Sequence, residues 1–156
     1  MTESFLDETD RRILRYLIRD ARQPIAGLAR KLGLSESAVR RRISGLVDCG
    51  VIRRFTVDVD YAKADNPITV LMGVNVGAMP GPKAAEALSG IDNIVEIYTV
   101  TGEFDLILKI ICRDIPCFEA IIEQIREQAF IEKTRSFVVL HKIRDGHYED
   151  IIQVSK

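Results

Sequence analysis

The sequence lacks most of the features that announce a function directly. It has three cysteines, Cys49, Cys112 and Cys117. That is an odd count without paired spacing, which excludes a secreted disulfide framework. Neither His141 nor His147 stands at zinc-ligand spacing from them, so no metal is expected. No apolar run approaches the ~18 residues of a membrane span. Met1–Ser4 is acidic and polar, unlike a secretion signal. Internal repeats, phosphate-cradling glycine loops and nucleophile–base constellations are all missing, so no catalytic residue and no cofactor are expected. Charge of one sign is missing too. Lys and Arg number 22 against 23 Asp and Glu, a net charge of −1. The basic excess typical of a nucleic-acid-binding domain is absent from that total. A reduced, soluble, cytoplasmic protein with no membrane partner is the expectation.

What is present is enough apolar side chain for a core, 47% of 156 residues, with 29% charged. The length suits one ordinary domain or two small ones. The charges favour two. Residues 1–60 carry 12 basic and 9 acidic groups, net +3, and residues 61–156 carry 10 and 14, net −4. Within residues 30–54 the balance is seven basic to two acidic, +5. The pattern changes near the same point, from helical spacing to β-branched runs. We expect a domain over 1–60, a hinge over 61–66 closed by Pro67, a second domain over 67–143 and a tail over 144–156.

Asp7 reads as an N-cap with Asp10 three residues on and Leu6 before it. Ile13, Leu14, Leu17, Ile18 and Ala21 then form one stripe, predicting a helix over Glu8–Ala21. Pro24 opens a second helix with Ile25, Leu28, Ala29 and Leu32 inward, and Gly33 stops it. Ser35 caps a third, with Val39, Ile43, Leu46 and Val47 inward and Gly50 at its end. Two helices joined by a Gly33-Leu34 turn make a helix-turn-helix. At ~100° per residue, Ser37, Arg41 and Ser44 fall opposite the core arc of the third helix. Arg41 is therefore the candidate base reader, and Arg40 and Arg42 on the flanks are candidate phosphate contacts. Ser35 and Ser37 sit at the positive helix end. Arg30 and Lys31 complete the basic set. Residues 51–60 read as a strand, the wing, in which Arg53 and Arg54 read equally as phosphate contacts or as exposed wing residues. A lone arginine triplet is more often a solvated face; its place on the third helix of a tri-helical unit favours DNA.

The second domain reads β-α-β-β-α-β, a ferredoxin-like order. Strands are expected at Ile68–Val76, Ile94–Thr101, Phe104–Cys112 and Glu132–Ile143, with helices at Lys83–Leu88 and Ile115–Gln128. Ile115, Phe118, Ile121, Ile122 and Ile125 form the stripe of the latter. The third strand is apolar on both faces, and in the last Phe137, Val139, His141 and Ile143 share one face. Two helices cover only one face of a four-stranded sheet, so the other calls for a second subunit.

Leu6-Asp7-Glu8-Thr9-Asp10, Ile13-Leu14, Asp20-Ala21-Arg22, Leu28 to Ser35, Val39 to Ile43, Leu46 and Gly50-Val51-Ile52 form an ordered set. It resembles the Lrp/AsnC, or feast/famine, transcription regulators, and the resemblance covers residues 5–143. It implies an α+β chain in which a winged helix-turn-helix is joined to a βαββαβ (RAM) domain that dimerises, assembles tetramers or octamers and often binds an amino acid. Thr101-Gly102-Glu103-Phe104-Asp105 resembles the family's Thr-Gly-x-x-Asp hairpin. Thr101, the Gly102 N–H and Asp105 are then the groups for an amino acid's carboxylate and ammonium. Glu103 and Phe104 would set side-chain preference, and Thr134 and Ser136 are further candidates. A plain hairpin, with Asp105 bonded to nearby backbone, is the blander account. Two departures stand out: Gln128-Ala129-Phe130-Ile131 replaces the usual Pro-Gly turn, and the tail carries Glu149 and Asp150. The expected function is a sequence-specific regulator on pseudo-palindromic double-stranded DNA. Two alternatives resemble it in plan: a siroheme-type tetrapyrrole decarboxylase, and an assembly module that binds effector without DNA.

Overall fold

A computed structural model describes residues 6–143 and residues 151 and 152. The chain divides into two units, residues 1–57 with 144–156, and residues 58–143. The first contains α1 (Glu8–Arg19), α2 (Ile25–Leu32) and α3 (Glu36–Asp48). α1 starts where a reciprocal cap forms: the Asp10 N–H donates to the Asp7 carboxylate, and the Asp7 N–H donates to that of Asp10. This satisfies two backbone donors that a helix start leaves open. α1 ends earlier than Ala21, because the Asp20 carboxylate accepts from the Arg22 N–H and closes a turn. Gly33 ends α2 at φ +70, in the left-handed region that glycine enters without strain. The Ser35 hydroxyl accepts from the Ala38 N–H and starts α3.

The core of this unit is Ile13, Leu14 and Leu17 of α1, Leu28 and Ala29 of α2, and Val39 and Leu46 of α3. Ile18 and Val47, expected inside, are exposed on its rim. The strand expected over 51–60 is not formed. A strand needs a neighbour for its N–H and C=O groups, and the sheet ladders of this chain do not include the segment. Phe55, Val57 and Val59 alternate along it in exposed positions, Val57 by 73%.

The second unit follows the expected order: β1 (Ile68–Val76), α4 (Gly81–Leu88), β2 (Ile94–Thr99), β3 (Leu106–Cys112), α5 (Ile115–Arg126) and β4 (Ile131–Val138). All pairings are antiparallel, in the sheet order β2-β3-β1-β4. Val70, Met72, Val74, Leu106, Leu108 and Ile110 pack against Ala84 and Leu88 of α4 and against Phe118, Ile121 and Ile125 of α5. Ile115, expected on that stripe, is exposed in the first turn. β4 stops at Val138, short of the expected Ile143. The Val139 N–H still reaches the Thr69 carbonyl, but β1 begins at Ile68, so the ladder stops before His141 and Ile143. Ile143 is 91% exposed.

The register defines the face that the helices leave uncovered. Leu71 pairs with Lys109 and Phe137, Gly73 with Ile107 and Arg135, and Tyr98 with Ile107. Phe137 is 49% and Tyr98 52% exposed. The turn before β4 closes without Pro or Gly: the Ile131 N–H donates to the Gln128 carbonyl and the Phe130 ring packs on the core.

Candidate functional site

α3 presents its outward side as the helical angles require. Ser37, Arg41 and Ser44 are exposed, while Val39 and Leu46 opposite them are buried. Among the described residues Arg41 makes no ion pair, which leaves its five donors open to a planar acceptor such as a guanine edge. Arg40 lies 3.7 Å from the Glu36 carboxylate. A pair this long and this exposed is worth a few tenths of a kcal/mol, too little to hold Arg40 from a phosphate. Ser35 is occupied as the helix cap, and its hydroxyl lies 3.1 Å from that of Ser37. Arg30, Arg53 and Arg54 are exposed.

Two residues of the basic set are turned elsewhere. Arg42 was expected to flank a phosphate. Its guanidinium instead donates to Asp7 at 2.6 Å and to Asp10 at 2.8 Å, the two carboxylates that cap α1. The hydrogen bonds to Asp7 and Asp10 raise the Arg42 pKa. Burial opposes ionisation of Asp7, but the Asp10 N–H and the Arg42 guanidinium outweigh it, and the carboxyl lies below its usual range. Arg42 thus fixes α3 to the start of α1. Lys31 lies 4.9 Å from the centre of the Tyr16 ring and donates to the Gln23 side chain, so it faces α1.

The hairpin between β2 and β3 is pinned by backbone contacts. Gly102 has φ +126. The Asp105 carboxylate accepts from the Val76 N–H at 2.9 Å, and its own N–H donates to the Val74 carbonyl. One carboxylate oxygen thereby closes the hairpin onto β1, as in the blander account; Asp105 remains an exposed residue. The Asn75 side chain donates to the Glu103 carbonyl. Phe104 is half-buried rather than an open loop residue. Its ring lies flat on Gly73, where an added Cβ would meet ring carbons at 2.6 Å. The Phe137 ring stands edge-on to it at 6.5 Å, and the Arg135 guanidinium lies 5.9 Å from its centre. Arg135 also bonds the Glu103 carboxylate at 2.9 Å. Thr101 is exposed at the tip.

Thr134 and Ser136 do not join this cluster. They pair with Val74 and Met72, whose side chains face the helices. Thr134 accepts from Arg126 of α5 at 3.5 Å. Phe104, Arg135 and Phe137 occupy the opposite sheet face, because side chains alternate along a strand. Sequence reasoning missed Arg135, Asn75 and Gly73. The available signal was Gly73 itself, since glycine inside a strand marks a close approach.

The AsnC-type helix-turn-helix domain profile matches residues 6–47, and the Lrp/AsnC ligand binding domain profile matches residues 69–148. The HTH-type transcriptional regulator Rv2324 of Mycobacterium tuberculosis is 36% identical over 141 residues, covering 90% of this chain and 95% of that protein. The HTH-type transcriptional regulator LysM of Sulfurisphaera tokodaii is 32% identical over 136 residues, covering 86% and 95%. Among solved structures, the feast or famine regulatory protein Rv3291c of M. tuberculosis, complexed with L-methionine, matches with a TM-score of 0.84 at 26% identity, over 90% of this chain and 95% of that one.

Proposed function

The chain belongs to the Lrp/AsnC family of DNA-binding transcriptional regulators, and from that premise we propose that it acts in the cytoplasm as a dimer, or a ring of dimers, on pseudo-palindromic sites. The family regulates transcription and is not enzymatic, so the decarboxylase alternative is set aside. The observation that carries the reading is the open Arg41 on the solvent side of α3, flanked by Ser37 and Ser44. Arg41 reads a base edge; Arg40 and Arg30 hold phosphates; Arg53 and Arg54 are auxiliary. Residues 1–60 are the reader and residues 67–143 the assembly and effector domain. A second copy covers the outer sheet face and supplies the strand that residues 51–60 lack. Two-fold symmetry then puts half-sites about one turn, ~34 Å, or a multiple apart.

The effector is an α-amino acid held at the Thr101–Asp105 hairpin. Support comes from the exposed Thr101 hydroxyl and Gly102 N–H as carboxylate donors. The Asp105 oxygen that is not bonded to Val76 can take the ammonium. The relative solved with L-methionine has the same fold. Glu103, Arg135 and Phe104 line the outer side and set the side-chain preference.

Salt titration of operator binding tests the DNA reading. With Lys31 and Arg42 committed elsewhere, Arg30 and Arg40 of two copies meet four phosphates, and log K against log salt falls with a slope of about −3.6. Arg41→Ala loses about 1–3 kcal/mol on operator and relaxes one base-pair position, while Arg40→Ala weakens operator and random DNA alike. A slope near zero, or equal losses for Arg41→Ala on both DNAs, rejects the reading.

A further inference from the structure

Beside the hairpin stands a charged pair that holding an α-amino and α-carboxyl group does not require. Arg135 lies directly opposite Gly73 in the register of β1 and β4. Gly73 has no Cβ, and the Phe104 ring fills that space. Three neighbours close in on the ring: Gly73 beneath it, the Arg135 guanidinium 5.9 Å from its centre, and the edge-on Phe137 ring. Phe104 is therefore a prop for Arg135, with little ring surface left on which an apolar side chain could rest.

Glu103 reaches the same guanidinium, its Oε1 2.9 Å from Nη1. Its backbone is fixed by the Asn75 side chain, which donates to the Glu103 carbonyl at 2.7 Å. The two charged side chains are 49% and 58% exposed. A pair this open to water adds little to stability, so stability does not account for it. Among the described residues, Glu103 Oε2 and the other guanidinium N–H groups have no further partner. The pair presents an acceptor and donors side by side, with no net charge.

This inference rests on the reading of Thr101–Asp105 as an α-amino acid site and concerns the side chain that the site selects. We propose that the Glu103–Arg135 pair, propped on Phe104, recognises the effector's side chain, and that this side chain ends in a carboxamide. A carboxamide offers a carbonyl acceptor and an NH2 donor. The carbonyl accepts from the guanidinium, and the NH2 donates to Glu103 Oε2. A carboxylate side chain is drawn by Arg135 but repelled by Glu103, and an ammonium side chain meets the reverse. An apolar side chain strips water from both charged groups and returns no bond. A site built from polar groups rejects ligands that leave those groups unpaired.

Titration calorimetry of the full-length protein with asparagine, glutamine, aspartate, glutamate, lysine and leucine tests the proposal. The parent should bind asparagine or glutamine at least tenfold more tightly than the other four. Glu103→Gln removes the repelling carboxylate and should improve aspartate or glutamate at least tenfold relative to the amides. Arg135→Gln should do the same for lysine. Each variant is expected to gain a ligand, which a damaged fold does not mimic. A parent ranking led by a charged or apolar amino acid, or an unchanged ranking in either variant, overturns the proposal. The hairpin site itself survives that result if Asp105→Asn abolishes the binding. Binding that persists in Asp105→Asn, or no binding of any of the six, removes the hairpin reading and this proposal with it.

Discussion

Arg42 illustrates how a basic side chain on an exposed helix can be committed to the fold itself. It stands next to the base-reading candidate in sequence, yet its guanidinium is spent on Asp7 and Asp10, 35 and 32 residues away. Those carboxylates cap the start of the first helix, so the pair sets the angle at which the third is presented. Arg42→Ala should cost about 1 kcal/mol at neutral pH, the scale of a partly exposed charged network. The pH dependence follows from Asp7, whose carboxyl lies below its usual range in the fold. Stability from a depressed carboxylate is complete above the unfolded value of about 3.9 and is lost as pH falls through the folded one. Urea unfolding at pH 7 and pH 3 should therefore show a smaller penalty for Arg42→Ala at the lower pH. An equal penalty at both would assign the loss to packing of the side-chain stem.

At the scale of elements, the sequence was informative wherever the determinant was local. Caps at Asp7 and Ser35, the stop at Gly33 and the stripes of three helices lie within a few residues of what they govern. Alternation located all four strands of the sheet. What escaped depends on distant partners. The end of β4 is set by the start of β1, some seventy residues earlier. The segment 51–60 has strand chemistry but no strand neighbour among the described residues. Thr134 and Ser136 looked like companions of the hairpin until the register put them on the other face. Phe104 is the subtler case, because its position depends on a hydrogen at Gly73 where any other residue has carbon. Gly73→Ala should lift the ring, cost about 1–3 kcal/mol by overpacking and free Arg135 from its ring contact. Asp105→Asn separates the two roles of its carboxylate. It should abolish thermal stabilisation by an amino-acid effector, while the bond from Val76 to the retained carbonyl oxygen preserves the hairpin. A screen of the twenty amino acids by thermal shift gives the ligand, and undiminished stabilisation of the variant removes Asp105 from the ammonium site.

Across the whole molecule, the uncovered sheet face and the divided charge work together. Leu71, Tyr98 and Phe137 are too apolar to stand in water as a group, and Glu96 with Lys109 gives the same face a fixed polar pair at 2.8 Å. Leu71→Lys with Phe137→Glu should halve the mass measured by light scattering; an unchanged mass would show that subunits meet elsewhere. A near-zero total charge taken alone argues against nucleic acid. The total conceals a reader of +3 and a remainder of −4. Within the first domain the excess is concentrated in residues 30–54, at +5.

The bond from the Val76 N–H to the Asp105 carboxylate also supplies a gauge. That amide is shielded from solvent exchange only while the hairpin lies against β1. Its exchange rate therefore reports the closing of the hairpin alone, and should slow when a bound effector holds the hairpin shut.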